Sequence, residues 1–349
     1  MTIHAYTSFS YSYLNRARVL VEGLRRLHPD WVLWAIVTDV CPDDMDHAWA
    51  DEDFDHVVFA DDLFGTETES WLFGHNVVEA CTAVKGAAAR HILNKPGCEK
   101  LFYFDPDIAV FNPMTDIVDL LDTCDIVLTP HQIAPEPRTA RQAIRDNEIT
   151  SLSHGAYNLG FLALANRDEG RRCAEWWDDR LRDWCHDRRD IGIFVDQKWC
   201  DLIPCFFDRV CVHRDPGCNV ASWNLSHRDI EISDDGQILV NSVPLRFFHF
   251  TKLGPLGDTM TQRYARDNHH VYEIWSWYRA AVAAATDPRI PDGYWRYGQF
   301  DNGIPISDAI RRLYRDRKDL QAAFAEPRRV ENGFYAWVQA QTDLLRDVA

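Results

Sequence analysis

Between Leu14 and Leu27 the apolar positions return every three or four residues and stop at His28-Pro29, the spacing and stop signal of a helix. The unbroken apolar run Trp31-Val32-Leu33-Trp34-Ala35-Ile36-Val37 then predicts a strand buried on both faces. With a short strand over residues 3–7, the chain opens as β-α-β. The polar stretch 39–55 reads as a loop and 56–59 as a third strand. Residues 79–93 read as a helix with Ala83, Ala87 and Ala88 as small packing positions, and 101–104 as the strand after it. Strands at 124–129 and 158–165 bracket a helix at 137–147, and a Trp- and charge-rich helix follows over 167–186. Asp234-Asp235-Gly236, between 230–232 and 237–240, is a hairpin signal, and 245–250 is the last strand. Beyond Gly254-Pro255 the period turns helical, over 259–285, 306–324 and 331–348, interrupted by a Pro- and Gly-containing stretch at 287–305. Strands alternating with helices give an α/β class with a largely parallel sheet, whose ligands sit at the carboxyl ends of strands. We divide the chain into an α/β unit at 1–255 and a C-terminal helical appendage at 256–349, acceptor-side or structural.

The strand at 101–104 ends on Asp105-Pro106-Asp107. Side chains two apart in extended backbone share a face, and carboxylate oxygens suit hard divalent cations. The plainer alternative is a surface turn with solvated acids, but an apolar strand is a costly place for idle charge.

Composition narrows the partners. A chain of 349 residues, 46% hydrophobic and carrying a formal charge of −17, holds a sizeable core and lacks the basic footprint of a nucleic-acid binder. An anionic substrate would need local help from a metal or a few cations. Ten cysteines without C-x-x-C spacing among Cys200, Cys205, Cys211 and Cys218 read as reduced, mostly buried thiols. The start Met1-Thr2-Ile3-His4-Ala5-Tyr6 has no signal-peptide pattern, and no segment reaches the roughly 20 apolar residues of a membrane span. These features place the chain in the cytoplasm. The cluster Arg311, Arg312, Arg315, Arg317 and Lys318 reads as a solvated face paired with Asp316 and Asp319, or as peripheral contact with anionic lipid at the inner face of the membrane.

Downstream of Asp105-Pro106-Asp107 come Gly155-Ala156-Tyr157-Asn158-Leu159-Gly160-Phe161, Val195-Asp196-Gln197-Lys198-Trp199, Asn219-Val220-Ala221-Ser222-Trp223-Asn224 and Phe247-Phe248-His249-Phe250-Thr251-Lys252. In this order the motifs resemble a glycosyltransferase of the GT-A fold, most closely the family 8 type of glycogenin and bacterial lipopolysaccharide galactosyltransferases, over residues 1–255. The chain also resembles transferases of bacterial surface-polysaccharide clusters. It departs from the family pattern in the spacing of Lys252, Gly254 and Pro255, and in Lys198 standing where a second Asp is common.

The resemblance implies a hexosyltransferase taking a nucleotide diphosphate sugar as donor and a glycan or lipid-linked acceptor, with retention at the anomeric carbon. It implies Mn²⁺ or Mg²⁺ held by Asp105, Asp107 and His249, with Asp105 also near the ribose. It places Asp196, Gln197 and Asn158 in the catalytic centre, and Thr7, Ser8, Tyr13, Lys85, Gly160 and Lys252 around the donor. For these residues the plainer readings are a helix cap at Asp196, a strand start at Asn158, loop polarity at Thr7, Ser8 and Tyr13, a solvated helix-face lysine at Lys85 and a core histidine at His249. Trp223-Asn224, His131 and His154 are acceptor-side candidates. Two rivals remain: a sugar-phosphate nucleotidyltransferase, disfavoured by the lack of a Gly-rich basic loop after Thr7, and a non-catalytic sugar-nucleotide or glycan binder.

Overall fold

The apolar run after Pro29 becomes a strand that is buried along nearly its whole length because neighbours pair with it on both sides. The computed structural model describes residues 2–341. Its strands are β1 Thr2–Phe9, β2 Val32–Val37, β3 His56–Phe59, β4 Cys98–Phe104, β5 Ile108–Val110, β6 Ile126–Pro130, β7 Tyr157–Ala165, β8 Asp187–Arg188, β9 Ile193–Phe194, β10 Val210–Val212, β11 Ile230–Ile232, β12 Ile238–Val240, β13 Val243–Pro244 and β14 Phe247–His249. Seven of them form one sheet in the order β10-β6-β7-β4-β1-β2-β3. Only β7 runs against its neighbours, so the sheet is mostly parallel and flanked by helices, as the alternation of elements predicts.

Two cores lie on opposite faces of this sheet. On one, Tyr6, Leu101 and Tyr103 meet the helices Val77–Leu93 and Asp168–Trp184; on the other, Ala5, Phe102 and Phe104 meet Leu20, Leu24 and Ile117. The alternation within β1 and β4 assigns each residue its side. The helix Val77–Leu93 starts two residues earlier than expected because Asn76 and Glu79 form a capping box: Asn76 Oδ1 accepts from the Glu79 N–H (3.0 Å) and Glu79 Oε2 from the Asn76 N–H (3.1 Å).

Several boundaries differ from the periodicity. The helix expected at 137–147 is instead a short turn at Arg141–Ala143 that widens over Ile144–Ile149 and ends at Thr150–His154. The span 259–285 breaks into Pro255–Ala265 and His269–Ala284 at Arg266, whose φ of 51° takes the chain out of the helix. The span 306–324 divides into Asp308–Asp316 and Lys318–Ala323, and the described part of 331–348 holds the helix Phe334–Ala340, the remainder lying outside the described residues. The ten cysteines are all free.

The basic cluster does not form one outer face. Arg311 is buried and donates to the carbonyls of Phe73 (2.9 Å), His75 (2.8 Å) and Tyr297 (2.6 Å); Arg315 donates to Gly74 O (3.0 Å), and Arg317 pairs with Asp319 (2.6 Å). Among the described residues no helix is long and apolar enough to cross a membrane.

Candidate metal site

β4 stops at Phe104, and the chain turns through Asp105-Pro106-Asp107 into β5. The turn is held at both ends: the Asp105 N–H donates to Gly160 O (2.7 Å) and the Ile108 N–H to Asp105 O (3.0 Å). β5 pairs antiparallel with β14 in a register that sets His249 opposite Ile108, and the Phe250 N–H donates to Asp107 O (2.8 Å). A segment from the far end of the α/β region thus lays its histidine across the two aspartates.

His249 Nε2 lies 3.0 Å from Asp107 Oδ1 and 3.6 Å from Asp105 Oδ2. One donor atom from each of the three residues falls within 4.8 Å of the others. Asp107 and His249 are buried and Asp105 is half-buried, so the cluster opens to solvent on the Asp105 side. The other ring nitrogen of His249 is 3.1 Å from Asn158 Oδ1. An amide oxygen only accepts, so Nδ1 carries the hydrogen and Nε2 faces the carboxylates. Burial alone would lower the pKa of His249, but Asp107 and Asp105 outweigh it and raise it above 6.5. Burial pushes Asp107 up in turn, and His249 overcomes that, leaving it below the usual carboxylate value. Two carboxylate oxygens and an imidazole nitrogen whose far side is pinned form a donor set that fits Mn²⁺ better than the oxygen-preferring Mg²⁺.

Gly160 makes the approach of His249 to Asn158 possible. A Cβ there would stand 2.5 Å from His249 Cε1, 2.7 Å from its Nδ1 and 2.8 Å from Asn158 Oδ1.

A second charged group abuts the first. Lys85 is buried rather than solvated, and its Nζ lies 3.0 Å from Asp105 Oδ1 and 2.8 Å from Asp196 Oδ2 while donating to Leu159 O (3.0 Å). Two carboxylates share one ammonium, which the pair holds above its ordinary pKa. Burial, reinforced by Asp105 and only partly offset by Lys85, raises Asp196 to about 6. Asp196 does not cap a helix: the following turn, Lys198–Leu202, begins after Gln197 with no side-chain cap. Gln197 Oε1 accepts from Asn158 Nδ2 (3.3 Å) and the Leu159 N–H (3.2 Å), and its Nε2 donates to His154 O (3.1 Å). A continuous polar line therefore runs from Gln197 through Asn158 to His249.

No protein-family profile matches the chain. A Bacillus subtilis (strain 168) protein, "Uncharacterized protein YfnF", is 28% identical over 174 residues, so that the match covers 50% of this chain and 56% of that protein. Among solved structures, the chain is similar to the galactosyltransferase LgtC in complex with donor and acceptor sugar analogues, with a TM-score of 0.47 and 14% identity over 83% of this chain and 98% of that one. It is also similar to apo mouse xyloside xylosyltransferase 1, with a TM-score of 0.42 and 16% identity over 73% of this chain and 99% of that one.

The remaining expected residues fall at different depths. Thr7 and Ser8 lie inside β1, which runs on to Phe9, and not in the turn after it. Ser8 Oγ donates to Cys81 O (2.7 Å) and meets the Tyr103 hydroxyl (3.1 Å), whereas the buried Thr7 Oγ1 has no protein partner. Tyr13 lies at the surface beneath the Arg16 guanidinium (4.0 Å), where its partial burial and then the charge of Asp107 raise its pKa. Lys252 is exposed in a left-handed turn (φ 56°), and Lys198 pairs with Asp201 (2.8 Å). His131 is half-buried with Nε2 3.2 Å from Asn158 Nδ2, Trp223 packs edge-on against His249 (5.4 Å), and Asn224 donates to Asn219 O (2.8 Å). Tyr103 was missed: its hydroxyl donates to Asp105 Oδ1 (2.5 Å). The strand period, which puts residues 103 and 105 on one face, is the signal that could have found it.

Proposed function

We propose that the chain is a metal-dependent glycosyltransferase that moves a hexose from a nucleotide diphosphate sugar to a glycan or glycolipid acceptor with retention of anomeric configuration. The observation that carries this reading is the convergence of Asp105, Asp107 and His249 at the carboxyl end of a central strand, where an α/β sheet binds its ligands. The ordered motifs that resemble family 8 transferases of the GT-A fold agree with it.

A divalent ion bound there supplies Lewis-acid stabilisation of the charge that develops on a departing diphosphate. This accounts for how a chain of net charge −17 takes an anionic donor. The protein's own residues do the positioning. Lys85 and Tyr103 fix the Asp105 carboxylate by Oδ1, leaving Oδ2 toward the cluster. Gln197 orients Asn158, and Asn158 orients His249. Asp196 is buried and tied to Lys85 rather than poised as a free nucleophile, which supports a retaining route in which the leaving phosphate takes the acceptor proton. Thr7, Tyr13 and Lys252 are assigned to the donor's nucleotide and diphosphate, and Trp223 to the acceptor side.

The test is incubation with a panel of sugar nucleotides and Mn²⁺. Release of nucleoside diphosphate supports transfer or its hydrolytic side reaction; pyrophosphate from a sugar phosphate and nucleoside triphosphate would mark a nucleotidyltransferase, and neither product a binding protein. Asp107→Ala should abolish metal-dependent donor binding while leaving the circular dichroism unchanged, and undiminished turnover in that variant would overturn the reading.

A further inference from the structure

Asp116, His213 and Cys218 converge at a second point, away from the cluster above. They come from the first turn of the helix Thr115–Thr123, the residue after β10, and the loop that leads to Val220. One carboxylate oxygen, one imidazole nitrogen and the thiol sulfur lie within 4.8 Å of one another. His213 Nε2 is buried 3.7 Å from Asp116 Oδ2, within ion-pair reach but beyond hydrogen-bond distance, and makes no hydrogen bond. Arg246 Nε forms an ion pair with Asp116 Oδ1 at 3.5 Å, and these two buried atoms also make no hydrogen bond, while Oδ2 turns toward the imidazole. A buried unpaired nitrogen beside an acid and a thiol is a site with a missing partner.

The same three residue types also build cysteine nucleophiles. Cys218 is 1% exposed, however, so no substrate carbonyl reaches its sulfur. A metal ion held among the three side chains needs no such approach, and the half-buried Asp116 is the most exposed of them.

We propose that Asp116, His213 and Cys218 form a zinc site, with water as the fourth ligand. A thiolate, an imidazole and a carboxylate are the donors Zn²⁺ takes in tetrahedral sites. The ion fastens the loop 215–218 to the segment that presents His249. The Arg246 N–H already donates to Gly217 O (2.8 Å), a Cβ on Gly217 would stand 2.2 Å from Pro244 O, and Val220 O accepts the His249 N–H (2.7 Å). The ion would tie these segments together, and the site does not depend on the reaction assigned above.

Metal-stripped protein titrated with Co²⁺ tests this, because a thiolate-to-cobalt charge-transfer absorption reports sulfur ligation and the Asp105–Asp107–His249 cluster contains no sulfur. The wild type should develop the band and lose it to added Zn²⁺. Cys218→Ser should not develop it. Asp116→Asn, a change at a half-exposed position that keeps every thiol, should weaken Co²⁺ binding by about 10- to 100-fold. No band in the wild type, a band that survives in Cys218→Ser, or unchanged affinity in Asp116→Asn would each overturn the site.

Discussion

Gly160 and Asp196 show two ways in which one residue controls the candidate site. At Gly160 the control is steric. The missing Cβ is where His249 and Asn158 meet, so Gly160→Ala should displace the imidazole while β7 keeps its ladder. The expected outcome is a stable protein whose Mn²⁺ affinity, measured by calorimetry, falls at least ~10-fold. At Asp196 the control is electrostatic. Its folded pKa of about 6 lies above the ordinary 3.8, so the folded state holds the proton more firmly than the unfolded chain. The sign follows: this group weakens folding as pH rises from 3.8 to about 6, by up to about 3 kcal/mol, and acidification through that window returns the stability. Urea midpoints across that range should show this slope in the wild type and lack it in Asp196→Asn.

At the scale of elements, local periodicity and distant pairing divide what the sequence discloses. Asp105 and Asp107 were legible as acids at the end of an apolar strand, although it is the turn after Phe104 and not the strand's period of two that brings them together; the helix Leu14–Leu27 and the hairpin of β11 and β12 were legible from local pattern. His249 entered only through the resemblance, since its place opposite Ile108 depends on a pairing between strands about 140 residues apart in the chain. Lys85 is placed at the donor by the resemblance alone and reads as a solvated lysine from helical spacing, which does not show that a charged position turns inward toward a partner, Asp196, 111 residues away. Arg311 carries the same lesson. Counted with its neighbours it belongs to a basic run, yet it enters the core to satisfy three carbonyls that end other elements. Arg311→Ala should therefore leave those acceptors unpaired and cost about 3 kcal/mol or more, read from denaturant unfolding. Arg312→Ala, at an exposed position of the same helix, should change stability by less than about 0.5 kcal/mol.

For the whole molecule the question is whether the helices after Gly254 form a separate unit. They share a core with the α/β region: Val19, Ala109, Val220, Phe248 and Phe250 pack with Ile274, Trp275 and Tyr278, and the Tyr278 ring stacks on Phe250 at 3.8 Å and 7°. A further cluster joins Phe73 to Phe300, Tyr314 and Phe334. The two aromatics that flank His249 in sequence thus lie under the C-terminal helices, so the packing that fastens the appendage also holds the segment that carries His249. Cooperativity should extend across residue 255, and tryptophan fluorescence and far-ultraviolet circular dichroism should report one coincident urea transition. Phe250→Ala should lower the midpoint of that single transition by the equivalent of about 3–5 kcal/mol, without splitting it. An early separate transition confined to the C-terminal helices would mean that they fold as a body of their own. A chain ending at residue 255 would bare Phe248 and Phe250 and should lose Mn²⁺ binding together with its structure, because β14 delivers His249 only while its outer face stays covered.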